Sequence, residues 1–339
     1  MPNIKDVAKA AGVSIATVSY VLNNKSAFYS EKTRQQVLEA VERVGYTPDV
    51  TARNLKSKKT HLIGYAYHHL PPGHVNSVLD QFTYHLAQAA EAAGYHVLTF
   101  TYPLDNPIPA YDKLIRKGQV DAFVLASTVA HDIRIHHLME RHFPFVSFGR
   151  SNAEWDFPWV DTDGAFGTMT AVEYLLHLGH RRIAMVGWPE ESITGNFRLE
   201  GYKRALQRAG IPLRPEYVLL KENYEQSGRD AVAQWLQLPI EEQPTAVMAI
   251  DDLVAIGVMN EALARGLPVG KSFAVVGFDD TPLGQYLRPS LTTLRQPIEA
   301  ICECLIAMLE DVVNDRPLGS RHILLRPELI IRESSGTSL

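Results

Sequence analysis

Cysteine is almost missing from this chain. Among 339 residues only Cys302 and Cys304 occur. Two apart on a helical stretch, they point to different faces and would not pair, which predicts a reducing compartment and no disulfide framework. No apolar run is long enough to span a bilayer. The start of the chain carries no charged-then-apolar export signal, so the sequence predicts a cytoplasmic protein. No G-x-G-x-x-G and no G-x-S-x-G occur, which removes the dinucleotide fingerprint and the hydrolase elbow. GLPVGKS at 266–272 is one residue short of a phosphate loop and lies between a helix and a following strand, the reverse of the required order. The 13 histidines lack metalloprotease spacing, and solvated or hydrogen-bonded histidines explain them better than a metal site. Low-complexity segments and short repeats are also absent.

What is present is a large core and an uneven charge. Hydrophobic residues make up 46% of the chain, enough for two or three domains. Net charge is −5, yet residues 1–60 hold ten Lys plus Arg against five Asp plus Glu, leaving −10 on the remainder. A basic head on an acidic body is what a localised nucleic-acid contact requires, although charge alone could be chance asymmetry.

The head is organised around NIKDVAKAAGVSIATVSYVLNN at residues 3–24. Ile4, Val7, Ala8 and Ala11 recur at helical spacing, Gly12 interrupts them, and Ser14 restarts the pattern as an N-cap. Val18, Val21 and Leu22 give a second helix its inner stripe. Two short helices around a glycine turn form a helix-turn-helix pattern; the bland alternative is an ordinary helical hairpin. In a helix-turn-helix the second helix enters the major groove, so Ser14, Ile15, Ala16, Thr17, Ser19 and Tyr20 become candidate DNA contacts. Ile15, Ala16 and Tyr20 are expected to read bases, and the hydroxyl residues to position the helix. A third helix over 30–45 starts at Ser30, with Thr33 in its first turn, and stops at Gly45.

From residue 61 the chain alternates. Strand-like runs HLIGYAY, YHVLTFTY, DAFVLAS, FPFVSFG, RRIAMVGW, TAVMAID and FAVVGFD are separated by helical stretches at 76–93, 108–117, 131–141, 164–178, 196–209, 228–237 and 252–265. This rhythm predicts parallel sheets covered on both faces, with ligand sites at the carboxyl ends of strands. Arg198, Asp251 and Asp279 fall at such places, with Trp188 and Asn223 as further cleft candidates and Ser127 and Arg150 at strand ends of the first half. An Arg fork and carboxylates can hydrogen-bond vicinal hydroxyls, while aromatics cover a sugar's apolar face. Helix capping by the aspartates and a surface salt bridge for Arg198 are the competing explanations.

The run IKDVAKAAGVS-x-ATVS-x-VLN, continued by SEKTRQQVLEAVERVGYTPDVTARNL, resembles the DNA-binding headpiece of the LacI family of bacterial transcription regulators, and a looser match extends to about Glu333. The resemblance implies an α/β protein with an N-terminal all-α headpiece and two Rossmann-like lobes of periplasmic-binding-protein type. It implies a headpiece over 1–47, a hinge helix over 48–60 and a core over 61–333. Lobe one would hold about 61–161 plus 295–323, and lobe two about 162–292 plus 324–333. Crossings are expected near Asp161–Asp163, Leu291–Gln296 and Arg321–Pro327, with a helix over 297–314 in lobe one. On the hinge, Leu55 would be a minor-groove wedge; Asn23, Ser30, Thr33 and Arg53 join the DNA-binding candidates. A flexible linker is the other reading of that stretch. Asp49 and Tyr20 depart from the family's habits, which leaves one backbone contact and the base preference open.

The resemblance further implies a homodimer on a pseudo-palindromic operator, a small carbohydrate as effector, no cofactor, no metal, no membrane and no catalysis. The absence of an apolar heptad tail favours a dimer over a tetramer. FPFVSFGR and WVDTDG resemble regulators of maltose or other α-glucosides. A purine- or nucleoside-responsive regulator, a solute-binding receptor without a DNA role, and an enzyme on a Rossmann-like fold are the alternatives.

Overall fold

The computed structural model describes residues 2–22, 26–46, 59–69 and 76–336. The chain divides into two compact units, Met1–Thr60 and His61–Leu339.

The first unit is helical. Helix α1 (Ile4–Ala11) opens with a reciprocal cap: Asn3 Oδ1 accepts the Lys5 N–H at 2.9 Å, and the Asn3 N–H donates to Asp6 Oδ2 at 2.9 Å. It ends at Gly12, whose φ of 68° is the left-handed conformation that lets the chain turn at once into the next helix. Helices α2 (Ile15–Leu22) and α3 (Glu31–Val44) follow. Val7, Val18, Val21, Val37 and Ala40 close a small core between the three. In α3 Val37 and Ala40 are buried and Leu38, Val41 and Val44 partly so.

The second unit contains two parallel sheets. The first has the order β11-β5-β4-β3-β1-β2, built from β1 (Leu62–His68), β2 (His96–Tyr102), β3 (Ala122–Leu125), β4 (Phe145–Phe148), β5 (Trp159–Thr162) and β11 (His322–Leu325). Side chains alternate across it, as period two demands. Ile63, Tyr65, Ala122 and Val124 face α4 (Ser77–Ala92) and α11 (Ile298–Val313), while Phe123 and Leu125 face α5 (Ile108–Arg116) and α6 (Ile133–Glu140). Fully buried Phe82 and Leu86 on α4 each contribute about 2 kcal/mol by leaving water.

The second sheet has the order β7-β6-β8-β9, from β6 (Ile183–Gly187), β7 (Val218–Leu220), β8 (Ala246–Ala249) and β9 (Ala274–Val276). It carries α7 (Gly164–His177), α8 (Ile193–Arg208), α9 (Glu225–Trp235) and α10 (Asp252–Ala264). Two helix crossings are set by glycine. A Cβ on Gly257 would lie 1.9 Å from the Glu225 carbonyl oxygen, and one on Gly201 would lie 2.2 Å from that of Ala165.

Three segments cross between the lobes. Strand β5 ends at Thr162 in the first sheet and the chain enters α7 in the second lobe. Strand β10 (Thr293–Arg295) bridges to Asp279 in the second lobe, then leads into α11 in the first. Strand β11 closes the first sheet before β12 (Glu328–Ile330) pairs antiparallel with β10. Strands β5, β7, β10, β11 and β12 were not among the strand-like runs of the sequence. They are three or four residues long; β3, β4, β8 and β9 are no longer, but those four lie inside longer apolar runs that periodicity can announce.

Candidate functional site

Two places gather the candidate residues. The first is the outward face of α2. Its inner positions Val18 and Val21 are buried, which leaves Ser14, Ile15 and Ala16 exposed and Thr17, Ser19 and Tyr20 half-exposed. Ser14 Oγ accepts the Thr17 N–H at 3.0 Å and pairs with Thr17 Oγ1 at 2.8 Å. Helix α3 repeats the device: Ser30 Oγ accepts the Thr33 N–H at 3.2 Å and pairs with Thr33 Oγ1 at 2.9 Å. Each helix therefore presents an N-terminus ringed by hydroxyls, an arrangement suited to phosphate oxygens. Tyr20 lies four residues beyond Ala16 on the same face, and its ring stacks on Phe28 with centroids 4.7 Å apart. Asn23, Arg53 and Leu55 lie outside the described residues, as does the hinge over 48–58.

The second place is the edge of the second unit where strands from both lobes end. Ser127 follows β3, Arg150 follows β4, Trp188 follows β6, Asn223 comes after β7, Asp251 follows β8 and Asp279 follows β9. Arg198 reaches the same edge from α8. The parallel sheets place these loops together because every strand points the same way.

Arg198 is the centre. It is 3% exposed. Its Nη1 donates to the Ile250 carbonyl, its Nη2 lies 3.6 Å from Asp279 Oδ1, and its guanidinium sits 3.5 Å from the Phe278 ring centroid and 5.2 Å from that of Trp188. The surface salt bridge is thus excluded for Arg198, because the group is buried between rings. Three buried polar atoms here have no hydrogen-bond partner: Arg198 Nε, Trp188 Nε1 and Asn223 Oδ1. Buried polar groups are nearly always satisfied, so two donors and an acceptor left open in one cleft point to a polar molecule that completes them.

Carboxylates surround the arginine. Burial pushes Asp279 well above the usual carboxylate range, opposed by the charge of Arg198. Burial likewise raises Asp251, opposed by the Val254 N–H, and Asp161, opposed by Arg150. Burial lowers Arg198 too, although Asp279 pulls the other way. Both partners of a 3.6 Å pair therefore shift toward neutrality: at that separation the attraction does not offset lost hydration.

The remaining candidates divide. Asp251 is the N-cap of α10, its Oδ1 accepting the Val254 N–H at 2.8 Å. Asp252 organises the neighbouring loops instead: it accepts from the Thr281 N–H at 2.6 Å and from the Thr293 hydroxyl at 2.5 Å. Asp280 pairs with Arg295 and Arg332. Arg150 is held by Asp161 at 2.7 Å and stacks across the lobes on Phe197, 3.4 Å from the ring centroid. Ser127 is exposed, with φ of 51°, and its carbonyl accepts from the buried Arg134.

Sequence reasoning passed over Gln296. Its Nε2 donates to Asp279 Oδ1 at 2.7 Å, and its Oε1 accepts from the Thr162 hydroxyl at 2.6 Å. It ties two crossing segments to the cleft, and an isolated glutamine gives no local signal of that. Phe197 was also missed, although it adjoins Arg198. Asp279 adopts φ of 119°, a conformation that favours glycine, and Gln296 and the Leu294 carbonyl hold it there.

Comparison with known proteins bears on both places. Residues 3–49 match the model described as bacterial regulatory proteins, lacI family, and residues 172–335 that of a periplasmic binding protein-like domain. The probable HTH-type transcriptional repressor ExuR of Bacillus subtilis (strain 168) is 31% identical over 334 residues, 98% of each chain. The structure of a LacI-family regulatory protein from Chloroflexus aggregans is 46% identical with a TM-score of 0.78, covering 82% of this chain and 99% of that one. The transcriptional regulator CelR in complex with cellobiose is 26% identical with a TM-score of 0.75, covering 99% of this chain and 100% of that one.

Proposed function

This chain belongs to the LacI family of bacterial regulatory proteins, and from that premise we propose how its two candidate places work together. It is a DNA-binding transcriptional repressor with an effector-binding region of periplasmic-binding-protein type; its relatives are repressors, not enzymes. The finer reading is ours. Two headpieces, brought together in a homodimer in the cytoplasm, would dock α2 on the halves of a pseudo-palindromic operator, with Ile15, Ala16 and Tyr20 toward the bases. A small carbohydrate would bind between the lobes, and operator affinity would follow whichever lobe arrangement it prefers.

The observation that carries the effector reading is the set of open atoms Arg198 Nε, Trp188 Nε1 and Asn223 Oδ1. Two donors and an acceptor beside carboxylates and aromatic rings suit a molecule with hydroxyls on every edge and apolar faces. The cellobiose complex of CelR supports a sugar as the first class to test. Within that class, FPFVSFGR and WVDTDG favour α-glucosides such as maltose.

Thermal-shift measurements against a panel of sugars and nucleosides test this, because a ligand stabilises the state it binds. A disaccharide that raises the melting temperature of the parent but not of Arg198→Ala supports the cleft. Stabilisation by a nucleoside alone would replace the carbohydrate reading with the purine one. A gel-shift with genomic fragments, with and without the hit, then separates a regulator from a plain solute receptor.

A further inference from the structure

The headpiece hides its large apolar groups well, with two exceptions among the described residues: Ile15, 44% exposed, and Phe28, 63% exposed. Ile15 belongs to the face already assigned to DNA. Phe28 does not. It closes the short 3-10 turn Ser26–Phe28 that links α2 to α3, and it takes no place in the core formed by Val7, Val18, Val21 and Val37. An exposed phenyl gains little from hydrophobic burial. What Phe28 does touch is Tyr20, in a stacked arrangement with an interplanar angle of 28° and centroids 4.7 Å apart. Tyr20 stands in the last turn of α2, on the same face as the exposed Ala16.

We propose that Phe28 is a positioning residue for base reading: its ring holds the Tyr20 phenol in one orientation on the groove-facing side of α2. A tyrosine side chain at a surface rotates freely about two bonds, and a hydroxyl free to swing discriminates poorly between base edges. Ring stacking depends on orientation, so the Phe28 contact selects one rotamer before DNA arrives. Preorganisation of that kind lowers the ordering cost of binding and sharpens the penalty for a wrong base. Phe28 acts through Tyr20. The inference therefore rests on the reading that Tyr20 contacts a base.

The experiment is selection of bound sequences from a pool of random duplexes by the full-length protein. Parent, Tyr20→Ala, Phe28→Ala, Phe28→Tyr and the double variant Tyr20→Ala/Phe28→Ala are compared. Tyr20→Ala and Phe28→Ala are expected to flatten the preference at the same base pair. Phe28→Ala should cut discrimination there about three- to tenfold, the range a lost aromatic pair allows. The double variant should go no further than Tyr20→Ala, and Phe28→Tyr should retain the parent's preferences. Headpiece melting should fall only slightly in Phe28→Ala, since the ring is largely in water and loses little beyond its contact with Tyr20. Parental preferences in Phe28→Ala, with altered ones in Tyr20→Ala, would overturn the positioning role alone. An equal loss on all sequences in Phe28→Ala would make Phe28 a scaffold or phosphate-side residue and would also overturn it. Unaltered preferences in Tyr20→Ala would remove Tyr20 from base reading and the role of Phe28 with it.

Discussion

Arg198→Ala tests the cleft most directly, because the arginine is joined to everything around it. The change removes a hydrogen bond to the Ile250 carbonyl, contact with the Phe278 and Trp188 rings, and the cation facing Asp279. Breaking a buried ion pair by deleting one partner ordinarily costs about 3–5 kcal/mol. Here the pair is long, and Asp279 already leans toward its neutral form. A carboxyl whose charged form is already disfavoured loses less when its cation is removed, so a loss at the low end, roughly 3 kcal/mol, is expected. The direction with pH follows. Asp279 sits above its ordinary value of 3.8 in the folded chain and titrates near that value when unfolded. The folded state therefore holds the proton longer, and the stability this gives is full in acid and lost as pH rises. Without Arg198 the opposing influence disappears, Asp279 rises further, and the loss should be larger at about pH 8 than at about pH 5.5. Urea titrations at both values measure this, beside calorimetric titration with the sugar found by thermal shift and operator titration without sugar. Sugar binding should vanish while sugar-free operator affinity stays near the parent's. Equal losses at both pH values together with parental sugar binding would refute both the electrostatic reasoning and the cleft assignment.

Asp252 offers a second pH handle. Burial pushes it up to about 7, against the hydrogen bonds from Thr293 and Thr281. Its contribution to stability should decline between 3.8 and about 7, and Asp252→Asn should flatten that part of the stability-versus-pH curve in urea titrations. Gly257→Ala should destabilise the second lobe by about 3 kcal/mol or more, since a Cβ there would stand 1.9 Å from the Glu225 carbonyl and the α9–α10 crossing would have to open; a parental melting temperature would show that the crossing is loose. A chain beginning at His61 should fail to shift operator DNA in a gel and should still bind the sugar, because the positive excess and the helix-turn-helix lie in residues 1–60; retained operator binding would move the DNA contact into the core.

The sequence by itself determined the parts whose physics is local. Gly12 and Ser14 mark the turn and the cap of the helix-turn-helix because a left-handed residue and a hydroxyl N-cap act within one turn of chain. The seven strand-like runs and their helices were legible because burial on both faces of a parallel sheet demands unbroken apolar stretches. Arg198, Asp251 and Asp279 could be proposed from their places beside strand ends. The tertiary structure decided the rest. Whether Asp251 or Asp252 caps α10 depends on which carboxylate points back at the Val254 N–H, and adjacent identical residues carry no sign of that. Strands β10, β11 and β12 exist only because segments distant in the chain pair with them and the lobes must be joined three times. Gln296 reaches Asp279 and Thr162 from 17 and 134 residues away. The open atoms on Arg198, Trp188 and Asn223 come together only when the stretch running from β6 into α8 and the segment after β7 bury them in one place. Lost hydration, and with it the shift of each carboxylate, is set by everything packed around a group, and no stretch of sequence contains that surrounding by itself.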